Sequence, residues 1–186
     1  MFYIRNMVCN RCRIAVKAVF EQFGIVPLSI ELGEVDAGDV VLPATVRQQL
    51  NDALLHAGFE LIDDRKGQMI EKIKNLVVTF IHHTDDAPRQ KYSDLISAHL
   101  HLDYGHISKL FSAVEGMTIE QYIINQKVEK IKEYLVYDEL TLSEIADSMG
   151  YSSVAHLSAQ FKKVTGFSPA HLKQLRKYDR RAIDEV

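Results

Sequence analysis

The chain has 186 residues, of which 47% are hydrophobic, and a formal net charge of −3. This length and composition allow two small buried cores, and no apolar run reaches the roughly 18 residues that a membrane span needs. The N-terminus lacks the charged lead and apolar block of a secretory signal, and Cys9 and Cys12 are too close together for a disulfide scaffold, so a cytoplasmic, reducing compartment is expected.

Strand and helix patterns alternate through the first part of the chain. The predicted elements are a strand over 2–6, a helix over 14–23, a strand over 25–35, a third short strand over 40–42, a helix over 44–57 and a last strand over 59–62. The order β-α-β-β-α-β is that of the ferredoxin-like unit. We therefore expect an α+β protein whose first domain, residues 1–66, is ferredoxin-like.

The loop after the first strand carries the motif M-x-C-x-x-C, formed by Met7, Cys9 and Cys12. With this element order, the motif resembles the heavy-metal-associated domain of copper chaperones and metal-pumping ATPases, over residues 2–64. The resemblance implies that the two thiolates bind a soft ion such as Cu(I), with the methionine packed beneath the loop. Asn6 departs from the family pattern, which usually has glycine at this position.

The cysteine pair is open to three interpretations. Thiolates select soft metals, and Arg11 and Arg13 beside the pair favour deprotonation, so Cys9 and Cys12 are candidate ligands of Cu(I) or another soft ion. Two thiolates can complete a two-coordinate Cu(I) site, whereas tetrahedral zinc requires further ligands. The alternatives are a relic of the fold whose cysteines bind nothing and a redox-active C-x-x-C pair. No other cofactor is expected.

The second domain, residues 67–186, begins with an apolar-faced helix over 67–83 and then contains an internal repeat. Residues from Ser93 onward align without gaps with residues from Ser143 onward. The matched positions include Phe111 with Phe161, Val114 with Val164 and Gly116 with Gly166, and the pattern predicts the first two pairs as core. Each copy predicts two helices joined by a tight turn, the shape that places its second helix in a DNA major groove.

End signals support this helical reading. In the second copy, Gly150 ends one helix, Ser152 or Ser153 can cap the next, and Ser168-Pro169 opens another. Between the copies, Thr118 caps a long amphipathic helix that runs to residue 136. The second domain is therefore expected to be all-α, with two helix-turn-helix units joined by a long helix that sets their separation.

Three stretches carry a second resemblance: ISKLFSAVEGMTIEQYI, LTLSEIADSMGY and AQFKKVTGFSP. They closely resemble the DNA-binding domain of AraC-type transcriptional regulators, over about residues 68–178. The resemblance implies a transcriptional regulator that binds double-stranded DNA as a monomer or weak homodimer, with RNA polymerase as a further candidate partner.

The face left for DNA on each second helix follows from its core stripe. The candidate DNA-binding residues are Tyr104, Gly105, Ser108 and Lys109 in the first copy and Val154, Ala155, Ser158, Ala159 and Lys162 in the second. Lysine can reach guanine, and small apolar side chains suit thymine methyl groups. The lysines can equally contact phosphate alone. For His106 and His156, packing or a phosphate contact is the expected role.

Charge and motifs limit the remaining function classes. The net charge permits nucleic-acid binding without demanding it, although the C-terminal end is locally basic, through Lys162, Lys163, Lys173, Arg176, Lys177, Arg180 and Arg181. No phosphate loop, nucleophile elbow or zinc-protease helix motif is found, so no enzymatic activity is expected. The leading hypothesis is a sequence-specific regulator that responds to a soft metal. The alternative is a metal-trafficking or redox-switched protein with the helical domain as an interaction module.

Overall fold

The computed structural model describes residues 1–84, 87–88, 90–137 and 140–174. The chain divides into two compact units, Met1–Asn75 and Leu76–Val186. This division falls later in the chain than the predicted boundary between residues 66 and 67, which stays a prediction. None of the described helices is both long enough and apolar enough to cross a membrane.

The first unit contains a four-stranded antiparallel sheet. Its elements are β1 (Phe2–Arg5), α1 (Asn10–Gln22), β2 (Ser29–Glu31), β3 (Glu34–Asp36), α2 (Ala44–His56), β4 (Glu60–Ile62) and the first part of α3 (Arg65–His82). The strand order is β2-β3-β1-β4, and Phe2 lies opposite Val35 in the register of the central pair. The core includes Ile4, Phe20 and Leu50, all fully buried. The observed element order is the predicted β-α-β-β-α-β.

The middle of this unit differs from the sequence prediction. A strand over 25–35 and a third strand over 40–42 were expected, but the chain turns at Gly33, and β3 follows at once with Glu31 opposite Glu34. Gly33 has φ +79°, a left-handed conformation that glycine adopts without a Cβ clash. The alternation of Leu28 and Ile30 was misleading, because Leu28 is 75% exposed; Val41, in the expected third strand, is 91% exposed.

The described residues of the second unit form helices and connecting turns, with no strand among them. After the end of α3 it contains α4 (Tyr92–Leu100), α5 (Tyr104–Glu115), α6 (Ile119–Tyr137), α7 (Leu142–Ser148), α8 (Val154–Thr165) and α9 (Pro169–Gln174). The pairs α4–α5 and α7–α8 are the two predicted helix-turn-helix units, and α6 is the predicted long helix between them. Both helix-turn-helix units pack on α6. In the first, the rings of Phe111 and Tyr122 are 5.6 Å apart between centroids, and in the second, Phe161 belongs to the core around Ile131.

Side-chain caps explain where these helices begin. The Asp103 carboxylate accepts a hydrogen bond from the His106 N–H, and the Ser153 hydroxyl accepts one from the His156 N–H, so the two repeats cap their second helices at matching positions. Thr141 and Glu144 form a reciprocal capping box at the start of α7. Thr118 accepts from the Gln121 N–H, as the predicted cap of α6. The caps at Ser153 and Thr118 confirm the predicted starts of α8 and α6, whereas those at Asp103 and Thr141 were not predicted.

A half-buried histidine lies at the end of α3. His82 Nε2 is 2.9 Å from Gln126 Oε1, and the Gln126 amide donates to the Tyr122 hydroxyl at 3.0 Å. Because the Gln126 oxygen is the acceptor, Nε2 carries the proton in this arrangement, while the buried Nδ1 has no hydrogen-bond partner within the described part of the chain. The neutral imidazole is the form that this site accommodates.

This histidine predicts a loss of stability in acid. Burial lowers the pKa of His82 to about 4, with the nearby charges of Lys130 and His83 acting in the same direction against the Gln126 hydrogen bond and Glu133. The unfolded chain takes up this proton near pH 6.5 and the folded chain only near pH 4, so the free energy of unfolding should fall by about 2–3 kcal/mol over that window. Urea denaturation between pH 7 and pH 4 measures it. His82→Gln should flatten the slope; an unchanged slope would show that His82 is not the responsible group.

Candidate nucleic-acid interface and cysteine pair

Helix α8 presents one buried stripe and one open face. Leu157 and Phe161 are fully buried in the core of the second helix-turn-helix unit. The exposed side chains of α8 are Ala155, His156, Ala159, Lys162 and Lys163. This face is small and apolar near the helix start and basic near its end, and it suits close approach to a DNA groove flanked by phosphates.

Helix α5 repeats this arrangement. Ile107 and Phe111 are fully buried, at positions equivalent to Leu157 and Phe161. The exposed residues of α5 are Gly105, His106, Lys109, Ala113 and Val114. The expectation that Val114 is a core residue was wrong, because it is 50% exposed, whereas Val164 is half-buried against the core.

The structure separates the predicted DNA-binding residues into two groups. Gly105, Lys109, Ala155, Ala159 and Lys162 are exposed, whereas Tyr104, Ser108, Val154 and Ser158 are half-buried. Val154 packs against the core of its unit, so only part of its side chain can be offered to a partner. The DNA-binding role of all nine residues stays a prediction.

Two histidines that were expected to pack or to contact phosphate are exposed. His106 and His156 occupy the third position of α5 and α8, where their backbone N–H groups bond to the capping side chains. The His156 ring packs edge-on against Tyr151 at 5.3 Å, and its Nδ1 lies 3.1 Å from the Ser152 hydroxyl. The sequence signal for this exposure is the position of each histidine in the first turn of a capped helix, which faces outward in both repeats.

Part of the predicted basic tail can be placed. Lys173 is exposed on α9, and Lys162 and Lys163 lie in the last turn of α8. Arg176, Lys177, Arg180 and Arg181 lie outside the described residues.

The cysteine pair lies where the β1–α1 loop enters the helix. Cys9 is the N-cap residue of α1, Cys12 lies in its first turn, and both are free thiols and half-buried. The two Sγ atoms are 3.5 Å apart. Met7 is completely buried in the core of this unit, which agrees with the packing that the family resemblance implies.

The surroundings distinguish the two thiols. Partial burial acts to raise the pKa of Cys9, but hydrogen bonds from the Cys12 backbone and thiol and from the Arg11 backbone, with the Arg11 charge, hold it below the ordinary value. Burial raises the pKa of Cys12, and the adjacent Cys9 adds to that increase. Arg13 instead forms an ion pair with Glu31 at 2.8 Å. Cys9 is therefore the thiol that ionises first.

Asn6 supports the same loop. It has φ +70°, a left-handed conformation in which asparagine is tolerated more often than other non-glycine residues. Its backbone N–H donates to Glu71 at 3.1 Å, and its side-chain amide donates to the Gly58 carbonyl at 3.2 Å. The departure from the usual glycine thus keeps the left-handed backbone conformation and adds one side-chain hydrogen bond, to the Gly58 carbonyl.

The asymmetry of the thiols predicts selective alkylation. At limiting iodoacetamide, Cys9 should react faster than Cys12, and the midpoint of its rate against pH should lie below that of an ordinary thiol, because the thiolate is the nucleophile. Trypsin cleaves after Arg11, so mass spectrometry of the digest reads the two cysteines separately. Equal rates, or faster modification of Cys12, would contradict the assignment.

In the described residues, no cluster of three or more histidine, cysteine or carboxylate side chains could hold a metal ion. A metal at this loop would therefore rely on the two thiolates, as in the two-coordinate site considered from the sequence.

Comparison with known proteins bears on the second unit. Residues 96–175 match the helix-turn-helix domain family. The match spans the end of α4 and all of α5 to α9, and so covers α5 and α8, the two helices with an exposed face. It confirms a helix-turn-helix domain in this part of the chain.

Individual relatives agree with this match. The chain is 32% identical over 82 residues to YfiF, an uncharacterized HTH-type transcriptional regulator of Bacillus subtilis, covering 44% of this chain and 26% of the relative. It is 30% identical over 74 residues to AdaA of the same organism, a bifunctional transcriptional activator and DNA repair enzyme, covering 40% and 35%. The chain thus spans about a quarter to a third of these relatives, and the AdaA match is confined to the helix-turn-helix region.

Two solved structures share the fold. One is the C-terminal domain of AraT, a response regulator from Geobacillus stearothermophilus, with a TM-score of 0.52 and 20% identity over 64% of this chain and 94% of that one. The other is a DNA-binding transcriptional dual regulator from Escherichia coli K-12, with a TM-score of 0.51 and 16% identity over 62% and 97%. At these identities the likeness concerns the fold alone.

Proposed function

We propose that this protein is a sequence-specific transcriptional regulator that binds duplex DNA with both helix-turn-helix units. The observation that carries the proposal is the occurrence, within one unit, of two capped helices, α5 and α8, with equivalent buried stripes and equivalent open faces. A helix with one face packed on its own unit and the other exposed can enter a major groove. Two of them on a shared helix α6 can read two successive groove segments.

The composition of the open faces indicates how the DNA is read. Gly105, Ala155 and Ala159 permit close approach, and the alanine methyl groups can contact thymine methyl groups. Lys109 and Lys162 supply phosphate or guanine contacts. With few bidentate hydrogen-bonding side chains on either face, sequence-dependent DNA shape carries part of the specificity.

A binding assay with genomic fragments tests this function. The full chain is mixed with fragments of its own genome at fixed physiological salt and with excess competitor DNA. A subset of fragments should bind at least about 1,000-fold more tightly than the competitor. Equal affinity for every fragment would contradict a sequence-specific regulator and favour a metal-trafficking protein that uses the helical unit as an interaction module.

The first unit is assigned, within this proposal, to a ferredoxin-like domain that binds a soft metal ion. The support is its element order, its β2-β3-β1-β4 sheet, and two converging half-buried thiols above a buried Met7. Cys9 and Cys12 would hold the ion. Cu(I) would supply a soft centre whose bonds to sulfur are stronger when the thiols are ionised. The easily ionised Cys9 and the nearby Arg11 charge suit this role.

A titration separates metal response from redox response. Cu(I) is added to the full chain without oxygen, and DNA affinity is measured at fixed salt; a change of about fivefold or more is expected in the wild type, the usual lower range of coupling between two sites. Cys9→Ser should abolish it. Unchanged affinity in both proteins would contradict metal regulation. An affinity that follows the thiol–disulfide poise without metal would instead assign the pair, with its sulfurs 3.5 Å apart, to redox switching.

A further inference from the structure

Lys127 occupies an unusual position in the middle of α6. Its ammonium donates to the Met149 carbonyl at 2.6 Å, in the turn that follows α7. It also lies over two aromatic rings, Tyr92 and Tyr151, each 5.2 Å from the ring centroid. Tyr92 is the first residue of α4, in the first helix-turn-helix unit, and Tyr151 belongs to the turn of the second. A single side chain therefore contacts both helix-turn-helix units.

Tyr92 and Tyr151 are half-buried, and so is Lys127. Burial lowers the pKa of its ammonium, in line with the loss of water around the charge. A desolvated ammonium interacts more strongly with aromatic faces and carbonyl oxygens than an exposed one does. Burial also raises the pKa of Tyr92 and Tyr151 to about 12, so both rings stay neutral.

The contact lies beside both candidate DNA-reading helices. Lys127, Tyr92 and Tyr151 line an open cleft of about 430 Å³, whose wall also includes Tyr104 and His156, in the first turns of α5 and α8. Both helix-turn-helix units pack on α6 through apolar side chains, Phe111 against Tyr122 and Phe161 in the core around Ile131. The three contacts of Lys127 add a further link, because they join the start of α4 to the turn after α7 and oppose a rotation of one helix-turn-helix unit about α6 relative to the other.

We infer that Lys127 is a positioning residue that locks the relative orientation of the two helix-turn-helix units and so restricts the protein to operators with one half-site spacing. The inference rests on the proposed DNA-binding function. It adds a source of specificity that touches no base, because two rigidly joined helices fit only those grooves that have the matching separation and rotation.

The lock is tested first without DNA. Spin labels are attached after Ala98→Cys and Ser143→Cys, two exposed positions outside α5 and α8, in a background with Cys9→Ser and Cys12→Ser. The distance distribution between the labels should be narrow with Lys127 and clearly broader with Lys127→Met, which keeps the stem but removes the charge. Lys127→Arg should restore a narrow distribution. If Lys127→Met does not fold, Tyr92→Leu removes the contact from the other side.

The second arm measures spacing selectivity with selected operator DNA. Adding two base pairs between the half-sites rotates the second major groove away from the protein, so wild-type binding should weaken about tenfold or more. Binding by Lys127→Met should weaken about threefold or less. An equally narrow distance distribution in Lys127→Met overturns the lock, whatever the DNA result. If the wild-type chain selects no DNA, the proposed function and the spacing role both fail, while the distances still decide whether Lys127 orders the two units.

Discussion

Ala155→Trp should weaken binding to selected operator DNA by about 100-fold or more and reduce it toward non-specific affinity. Ala155 is exposed in the first turn of α8, on the face opposite the buried Leu157 and Phe161. An indole there would prevent the close approach that the small side chains of this face allow. The free energy of unfolding should change by only about 0.5 kcal/mol, the difference in helix propensity at an exposed site. Fluorescence anisotropy with labelled operator measures the affinity.

The matched control is Ala18→Trp. Ala18 is likewise an exposed alanine within a helix, but it lies on α1 in the first unit. It should leave DNA affinity within about threefold of the wild type, since surface changes away from a binding site have small effects. Undiminished operator binding by Ala155→Trp would show that this face of α8 does not enter the groove.

Gly33→Ala should destabilise the first unit by about 3 kcal/mol or more. The added Cβ would overlap the side-chain amide of Asn75, which is 7% exposed and therefore has little room to move. That amide donates to the Leu32 carbonyl at 3.1 Å, a bond that its displacement would break. The positive φ of residue 33 adds strain of about 1–2 kcal/mol for any residue with a Cβ. Urea denaturation, with hydrogen exchange of peptides from residues 1–64, measures the loss.

Gly24→Ala separates backbone strain from overlap. Gly24 has a similar φ of +73°, but nothing lies within 4 Å of an added Cβ. It should cost only about 1 kcal/mol. Asn75→Ala in the Gly33→Ala background removes the overlap, so the two changes should be non-additive by about 1 kcal/mol or more. Equal losses for Gly33→Ala and Gly24→Ala would contradict a close approach at Asn75.

The helical unit could be predicted well because its signals are local. These signals are periodic apolar residues, capping side chains such as Ser153 and left-handed glycines such as Gly150, which act within a few residues of one another. Signals of this kind occur in both copies of the repeat. The hairpin at Gly33 was missed because the alternation continues through it. Only the pairing of Glu31 with Glu34 reveals the turn.

Features that depend on distant contacts could not be read from the sequence. Lys127 lies on the polar part of a periodic helix, and its partners Tyr92 and Met149 are brought to it only by folding. The difference between Cys9 and Cys12 likewise depends on which backbone N–H groups point at each sulfur. The exposed faces of α5 and α8 were predicted in part, because the core stripe was visible but the partial burial of Val154 was not.

The most direct test of two-headed DNA reading is selection of bound genomic DNA followed by footprinting of the selected sites. The account predicts a two-part motif, with two protected major-groove segments about 10–10.5 base pairs apart on one face of the duplex. Ala155→Trp should lose the half assigned to α8 and keep the other. A single protected segment, or no enriched sequence, would contradict the claim that both helix-turn-helix units read DNA.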